Sequence, residues 1–223
     1  MSFSRGLKEL ASSVWEDGYR HPFVQELGRG TLERTKFKFY LLQDYKYLLS
    51  YAKVFALGVL KSETEEMMSR FSASQNALLN GEMNIHREYM SSFDVTQSEM
   101  EAVRPSLFNR TYTANMLAVG QSGGTAEIIA TLFPCAWTYS DYARRLVADY
   151  PAELQNNFYR SWIQGYASEQ FAASFEWFYE ALDKTCERKS DAELRQIEGI
   201  FKSSVEFEYL FWDMSYKCQM SYN

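Results

Sequence analysis

Residues 33–60, ERTKFKFYLLQDYKYLLSYAKVFALGVL, form the stretch that decides the fold. This spacing of apolar residues, every three or four positions, matches the period of an α-helix and turns one stripe toward a core. The stripe consists of Phe37, Leu41, Tyr45, Leu48 and Ala52. Because Thr31 lies just before the pattern as a helix-start residue, the sequence predicts one long helix from about Glu33 to Leu60.

Helix boundaries elsewhere are marked by turn and capping residues. A Ser or Thr followed three residues later by Glu can cap the free amides at a helix start. Gly123-Gly124 and Arg104-Pro105 mark breaks, since Gly weakens a helix and the residue before Pro disfavours helical geometry. We expect about seven or eight helices packed as a bundle. The capping pairs are Ser62 with Glu65, Thr96 with Glu99, and Ser190 with Glu193.

The composition agrees with an all-α class. Of the 223 residues, 46% are hydrophobic and 17% aromatic, with only four Pro and eleven Gly. A β-rich protein would need more turn-forming residues. Because no repeat, low-complexity segment or linker divides the chain, we expect residues 1–223 to form a single-domain multi-helix bundle.

The charge balance argues against a nucleic-acid partner. Lys and Arg number 23 against 29 Asp and Glu, a net charge of −6, and no basic cluster interleaved with aromatics is present. The chain also lacks an apolar run of the ~18 residues that a membrane span needs, and its start lacks the apolar core of a signal peptide. We therefore expect a cytoplasmic protein with no membrane partner.

The cysteines are odd in number and widely spaced, which fits neither a disulfide framework nor a paired-thiol metal site. Pro134 interrupts a helical pattern beside Cys135 and is expected to kink that helix. Tyr139 and Tyr142 share the face of Cys135 at i+4 and i+7. Cys135 is thus either a small buried hydrophobe or a reactive thiol on a tyrosine face. The three cysteines are Cys135, Cys186 and Cys218.

A carboxylate lies on an aromatic face of the predicted long helix. Asp44, Tyr47 and Tyr51 occur at i, i+3 and i+7 and share one side of the helix. There Asp44 could accept hydrogen bonds from an amino-substituted heterocycle, or it could be a solvated charge. The pattern leaves both interpretations open.

A second carboxylate lies among aromatic residues near the C-terminus. Glu208 shares a face with Trp212 at i+4, whereas Glu206 falls on another side. Burial against aromatic surface would raise the pKa of a carboxyl into the range useful for proton transfer. The aromatic excess of the chain indicates either a lined pocket or the filling of a wide bundle.

The sequence gives little support for a metal site or a nucleotide-binding site. Glu82 and His86 stand at i and i+4, but the only other histidine is His21, and the repeated Glu-x-x-His pairs of di-metal bundles do not occur. We interpret Glu82 and His86 as a supporting pair and His21, before Pro22, as a structural residue at a helix entry. No glycine-rich phosphate loop is present, so no metal or other cofactor is expected.

An ordered series of segments along the chain resembles the TenA family, thiaminase II, within the haem-oxygenase-like helical superfamily. The resemblance implies that fold. The segments are HPFVQELGRGTL (21–32), KFYLLQDYKYL (38–48), EMNIHREY (82–89), TYTANM (111–116), AEIIATLFPCAWTYSDYA (126–143), WIQGYAS (162–168) and FEYLFWDMSY (207–216).

The resemblance implies a hydrolase acting on C–N bonds in thiamin metabolism and pyrimidine salvage. Its substrates would be 4-amino-5-aminomethyl-2-methylpyrimidine and thiamin, and its product 4-amino-5-hydroxymethyl-2-methylpyrimidine. In this sequence it implies Cys135 as nucleophile and Glu208 as general acid and base. The substrate-binding residues would be Asp44, Tyr47, Tyr112, Tyr139 and Tyr166.

The resemblance also implies a homotetramer. Two alternatives to the enzyme are a non-catalytic pyrimidine-binding or regulatory protein on the same scaffold, and an interaction protein whose aromatic residues face a partner. Retention of a thiol together with Asp44 and Glu208 favours the enzyme over the regulatory protein.

Overall fold

The computed structural model describes residues 2–221, and within that range the backbone forms thirteen α-helices and no strand. The all-α class is confirmed. A π-helical turn at Leu78–Glu82 joins α5 to α6, and a 3₁₀ turn at Glu153–Asn156 follows α9. The α-helices are α1 (Phe3–Leu10), α2 (Ser12–Arg20), α3 (Pro22–Arg29), α4 (Arg34–Lys61), α5 (Glu65–Ala77), α6 (Met83–Ser92), α7 (Gln97–Ala102), α8 (Leu107–Ser122), α9 (Thr125–Asp149), α10 (Arg160–Ala167), α11 (Glu169–Phe175), α12 (Trp177–Cys186) and α13 (Asp191–Lys217).

Three long helices, α4, α9 and α13, form the centre of the molecule. Each of them packs against the other two, and α4 also packs against α5 and α8. The predicted helix over residues 33–60 is confirmed, since α4 spans Arg34–Lys61. Its predicted stripe residues Phe37, Leu41 and Leu48 are buried in the core.

Two of the three predicted capping boxes are confirmed. At the start of α7, the Thr96 amide donates to the Glu99 carboxylate at 2.8 Å, and the Glu99 amide donates back to the Thr96 hydroxyl at 3.2 Å. At the start of α13, the Ser190 amide donates to Glu193 at 2.8 Å. These caps satisfy amides that have no partner inside the helix.

The predicted box at Ser62 and Glu65 is wrong. Because α4 continues to Lys61, Ser62 ends that helix, and its hydroxyl donates to the Gly58 carbonyl at 2.6 Å. Thr64 caps α5 instead, accepting from the Met67 amide at 3.3 Å. The hydroxyl nearest the preceding helix is used to satisfy one of that helix's last carbonyls.

The predicted breaks occur where expected, but the helices outnumber the prediction. The helix α8 ends at Ser122 and α9 begins at Thr125, which confirms the break at Gly123-Gly124. The additional helices are short pieces. One of them, α3, begins at Pro22 after His21, whose Nδ1 accepts from the Phe23 amide at 3.1 Å. The structural role expected of His21 is confirmed.

The helix α9 runs through Pro134 without ending. Since proline has no amide hydrogen, the Ala130 carbonyl lacks its usual helical donor. The Thr138 hydroxyl donates to the Pro134 carbonyl at 2.8 Å, one turn further along. Pro134 itself is buried, and the next residue is Cys135.

The core is continuous and rich in aromatic rings. Buried apolar side chains from all thirteen helices form one cluster within the described residues. Close helix contact occurs at Gly58, where a Cβ atom would lie 2.4 Å from the Phe71 ring. No helix in residues 2–221 combines the length and apolarity needed to cross a membrane.

Candidate active site

A cavity of about 340 Å³ lies beside the middle of α9. Pockets that bind small molecules begin at about this volume, and they are largely apolar with a few polar groups. Helices α4, α5, α9, α10, α11 and α12 and the π-helical turn contribute to its wall. The lining residues are Tyr51, Phe55, Ser74, Ala77, Leu78, Gly81, Glu82, Cys135, Ala136, Tyr139, Trp162, Gly165, Tyr166, Ser168, Gln170, Phe171, Ser174, Phe175 and Phe178.

Cys135 borders this cavity, and the residue is 9% exposed. The Tyr47 hydroxyl and the Glu208 carboxyl lie near enough to affect the ionisation of this thiol and of Glu208. Burial, reinforced by the carboxylates of Glu208 and Glu82, raises the pKa of Cys135 well above its usual value. In the absence of a ligand the residue is therefore a neutral thiol at physiological pH.

Glu208 lies behind the thiol in a chain of hydroxyl groups. The Tyr47 hydroxyl donates to that of Tyr112 at 3.3 Å, which donates to Glu208 Oε1 at 2.6 Å. Burial raises the pKa of Glu208 to about 8; the Asp44 charge adds to this effect and the Tyr112 hydrogen bond opposes it. Glu206, two residues earlier, is exposed. The face predicted for Glu208 is thus the inward one.

Asp44 is 3% exposed, so it is not a solvated charge. Its Oδ2 accepts from the Tyr40 hydroxyl at 3.1 Å and lies 2.5 Å from His86 Nε2. No hydrogen bond within residues 2–221 reaches the other oxygen, Oδ1. The Asp44 charge also contributes to the raised pKa of Cys135, which places the two residues in one electrostatic environment. Asp44 is not among the lining residues of the cavity.

Glu82 lines the cavity, a position that sequence reasoning missed. Its Oε1 accepts from the Tyr166 hydroxyl at 2.6 Å. Burial raises its pKa, while the charge of His86 and the Tyr166 hydrogen bond oppose that effect. The sequence does show Glu82 and His86 four residues apart, which is a helical spacing. However, Glu82 is the last residue of a π-helical turn. Such a turn contains one residue more than an α-helical turn, so it rotates the residues that follow it around the helix axis.

The aromatic wall of the cavity contains two of the predicted tyrosines. The rings of Tyr139 and Tyr166 are 4.9 Å apart, and Trp162 lies 4.7 Å from Tyr166. The Trp162 indole nitrogen is buried and has no hydrogen-bond partner within the described residues. Such a donor can be satisfied by a bound ligand. The other predicted tyrosines, Tyr47 and Tyr112, lie behind the wall with Glu208.

Two further tyrosines, predicted on the helical faces of Cys135 and Asp44, form hydrogen bonds that hold neighbouring helices together. The Tyr142 hydroxyl donates to the Trp15 carbonyl at 2.7 Å and lies close to Gly18, so this ring fastens α9 to α2. Tyr51 does line the cavity, and its hydroxyl donates to the Leu132 carbonyl at 2.8 Å. That bond fixes α4 against α9 one turn before Cys135.

The polar groups around the cavity are suited to proton transfer. Within residues 2–221, no group of three or more His, Cys, Asp and Glu side chains is arranged to hold a metal ion. A neutral thiol, a protonated carboxyl and several hydroxyl groups meet beside an aromatic-walled space. This set can add a nucleophile to a flat, electron-poor ring and exchange protons with it.

The family model described as TENA/THI-4/PQQC matches residues 9–218. The chain belongs to this family. It is 44% identical to the aminopyrimidine aminohydrolase of Helicobacter pylori, covering 97% of this chain and 100% of that one. It is 41% identical to the aminopyrimidine aminohydrolase of Halalkalibacterium halodurans, covering 100% of both chains. The prediction of a hydrolytic enzyme of the TenA type is confirmed.

Solved structures share the fold of this chain. A TenA homologue protein from P. horikoshii OT3 has a TM-score of 0.86 and 25% identity, with 97% of this chain and 99% of that one covered. A domain with a heme oxygenase-like fold from Shewanella denitrificans has a TM-score of 0.77 at 15% identity, with 96% and 91% covered. These similarities confirm the haem-oxygenase-like helical fold.

Proposed function

We propose that the protein is an aminopyrimidine aminohydrolase of thiamin salvage. It would convert 4-amino-5-aminomethyl-2-methylpyrimidine, and thiamin, to 4-amino-5-hydroxymethyl-2-methylpyrimidine, with Cys135 as nucleophile. The observation that carries the proposal is that the buried Cys135 thiol borders an aromatic cavity and shares one electrostatic environment with the Glu208 carboxyl, whose pKa is raised to about 8. The names of the two relatives at 41% and 44% identity support the substrate class.

The first chemical step adds the thiol to the ring. Glu208, whose pKa is about 8, is mostly protonated at neutral pH and can give its proton to a ring nitrogen. The carboxylate left behind then takes the proton of the Cys135 thiol as the sulfur–carbon bond forms. The net result is transfer of the thiol proton to the ring nitrogen. A free thiolate is therefore not needed in the buried site.

The second step breaks the exocyclic C–N bond. The aminomethyl group, bound as its ammonium form, leaves as ammonia on the electrons of the dihydropyrimidine ring, and an exocyclic methylene group remains on the cysteine adduct. Water adds to that carbon and gives up a proton to the released ammonia, which leaves the site as ammonium. The sulfur then departs as the ring regains its double bond, and the ring proton returns to the thiol. The sum is replacement of the amine by hydroxyl.

The remaining predicted residues would hold the ring. Asp44, with Oδ1 open, is suited to accept hydrogen bonds from the amino group of the pyrimidine. Tyr139 and Tyr166 offer flat faces, and Tyr47 and Tyr112 link the thiol to Glu208. In an aromatic-walled cavity that excludes water, these polar contacts are strengthened. We also propose a single-domain chain that acts in the cytoplasm as a homotetramer.

The test compares Cys135→Ser with Cys186→Ser, because both thiols are buried and only Cys135 borders the cavity. Cys135→Ser should lower turnover of the aminomethyl pyrimidine on the order of 10³-fold or more, since serine is a far weaker nucleophile at this pH. Binding of the hydroxymethyl product, measured by calorimetry, should survive in both variants. Full activity in Cys135→Ser would contradict the mechanism.

A non-catalytic pyrimidine-binding protein would give a different result. It would bind the product tightly while the wild-type protein released no ammonia from the aminomethyl pyrimidine. The hydrolase names of the relatives do not favour this alternative. Ammonia release by the wild-type protein would exclude it.

A further inference from the structure

The cavity continues from Cys135 to an opening on the surface. The lining residues at the opening are small or uncharged and exposed: Ala77, Gly81, Gln170 and Ser174. Between them and the buried thiol lies a region walled by aromatic rings and by Glu82. A group attached to a ring held at Cys135 can extend into this region, because Cys135 and these residues line one cavity.

The aromatic wall is continuous along this path. Ring centroids of Tyr139 and Tyr166 are 4.9 Å apart, those of Tyr166 and Phe171 are 4.9 Å apart, and those of Phe171 and Phe175 are 5.7 Å apart. Phe55 of α4 and Phe178 of α12 also line the cavity, with ring centroids 6.3 Å apart. The faces of aromatic rings carry partial negative charge, which attracts cations.

Among the lining residues, Glu82 is the only Asp or Glu, and within the described part of the chain no Lys, Arg or His contributes to the wall. Glu82 Oε1 is held by the Tyr166 hydroxyl at 2.6 Å. In residues 2–221, no hydrogen bond reaches Glu82 Oε2. One carboxylate oxygen is therefore fixed by the protein, and the other remains open to a ligand in the cavity.

A cation in this region would gain attraction from both the carboxylate and the ring faces. A phosphate group would meet a carboxylate and aromatic faces, with no basic side chain in the wall to replace its lost hydration. The charge of the leaving group should therefore decide how well a substrate fits this region. The pyrimidine ring cannot decide it, because all the substrates share that ring.

We propose that Glu82 and the aromatic rings between Cys135 and the opening form a leaving-group subsite that selects cations, namely ammonium groups and N-alkylated heteroaromatic rings, and excludes phosphate esters. Glu82 is the specificity-determining residue of this subsite. The inference rests on the proposed function, because it assumes a pyrimidine held at Cys135.

The test uses one pyrimidine with four substituents: aminomethyl, the thiazolium of thiamin, the neutral N-formylaminomethyl group, and the phosphate ester of thiamin. Substituents differ in intrinsic reactivity, so kcat/KM of Glu82→Gln is divided by that of the wild type for each substrate. Gln keeps the shape and the acceptor for Tyr166. We expect the ratio to fall about tenfold for the two cations and to stay within about twofold for the neutral amide.

Glu66→Gln provides the matched control, because Glu66 is exposed on α5 and pairs with Arg70 outside the cavity wall. It should leave all four ratios near one. The hydroxymethyl product carries no charge, so its Kd should be the same for Glu82→Gln and the wild type. An equal fall for cationic and neutral substrates would overturn the subsite. Absence of turnover by the wild type on every substrate would instead overturn the proposed function.

Gln170→Lys tests the same proposal without touching a buried group, and it carries the test if Glu82→Gln does not fold. A cation at the opening should lower kcat/KM for thiamin and raise it for the phosphate ester, each by about two- to threefold at low salt. Both effects should shrink as the salt concentration rises. No change for either substrate would contradict charge selection in this region.

Discussion

His86 Nε2 lies 2.5 Å from Asp44 Oδ2, and the other ring nitrogen of His86 lies 3.2 Å from the Glu82 carbonyl oxygen. The imidazole is thus held at both ends between α4 and the π-helical turn. Burial alone would lower the pKa of His86, but the hydrogen bond to Asp44 and the charges of Asp44 and Glu82 together raise it. The supporting pair inferred from Glu82–His86 spacing extends to Asp44.

His86→Gln should weaken ligand binding by releasing Asp44. Losing one partner of a buried ion pair leaves the other uncompensated, so we expect the free energy of unfolding to fall by about 3–5 kcal/mol. The Kd for the hydroxymethyl pyrimidine should rise about tenfold or more, which calorimetry measures. His21→Asn is the control, because Asn also caps a helix start and His21 lies outside the cavity wall. An unchanged Kd in His86→Gln would show that Asp44 does not bind the ligand.

Glu208→Gln should reduce turnover while leaving substrate affinity nearly intact. The amide cannot exchange a proton with the ring or the thiol, but it can still accept from Tyr112. We expect kcat to fall about 10²- to 10⁴-fold, as for loss of a general acid and base. Glu206→Gln, at the exposed position two residues away, should stay within about twofold of the wild type. The reverse pattern in steady-state kinetics would assign the role to Glu206.

The stability of the protein should decrease as pH rises, in part because of Glu208. Its pKa in the folded state is about 8 against an ordinary 4.5, so the folded protein binds this proton more tightly than the unfolded chain does. Stability from the group is complete below pH ~4.5 and is lost as pH rises through ~8. Denaturant unfolding at pH 5 and pH 8 should show a smaller decrease for Glu208→Gln than for the wild type. An equal decrease would mean that Glu208 ionises at its ordinary pKa.

Much of the fold was predictable because its signals are local. Apolar spacing over residues 33–60 identified α4, and Thr96 and Ser190 marked starts whose amides need caps. The prediction for Ser62 was wrong because a hydroxyl between two helices can either cap the start of the second or bond to a carbonyl at the end of the first. Tertiary packing determines how far α4 extends, and so which of the two occurs. Short helices such as α3 are not encoded by a long periodic pattern, so they were undercounted.

The candidate site was predictable only in part, for a related reason. The helical faces of Cys135 and Glu208 were correctly read as inward, since each residue has an aromatic face within its own helix. The two residues lie near each other because α9 packs against α13. The spacing of residues within one helix carries no information about that packing. Glu82 was missed as a wall residue because a π-helical turn shifts its face, and its partner Tyr166 lies far along the chain.

Gly58→Ala should destabilise the packing of α4 on α5. The added carbon would lie 2.4 Å from the Phe71 ring, which is fully buried and cannot move aside without disturbing the core. Overpacking of this kind costs about 1–3 kcal/mol. Gly199→Ala is the matched control on α13, because nothing lies within 4 Å of its added carbon. It should gain about 0.5–1 kcal/mol from helix propensity, and thermal unfolding distinguishes the two signs.

The burial that keeps Cys135 protonated has a consequence for the lifetime of the protein. Peroxides and electrophiles attack the thiolate form, and a thiol with a raised pKa offers very little of it. The proposed nucleophile therefore reacts slowly with oxidants while the cavity is empty, and the exposed Cys218 is the more accessible target for oxidation. Under the proposed mechanism, this sulfur stays protonated while the cavity is empty and loses its proton only as it attacks the ring of a bound substrate.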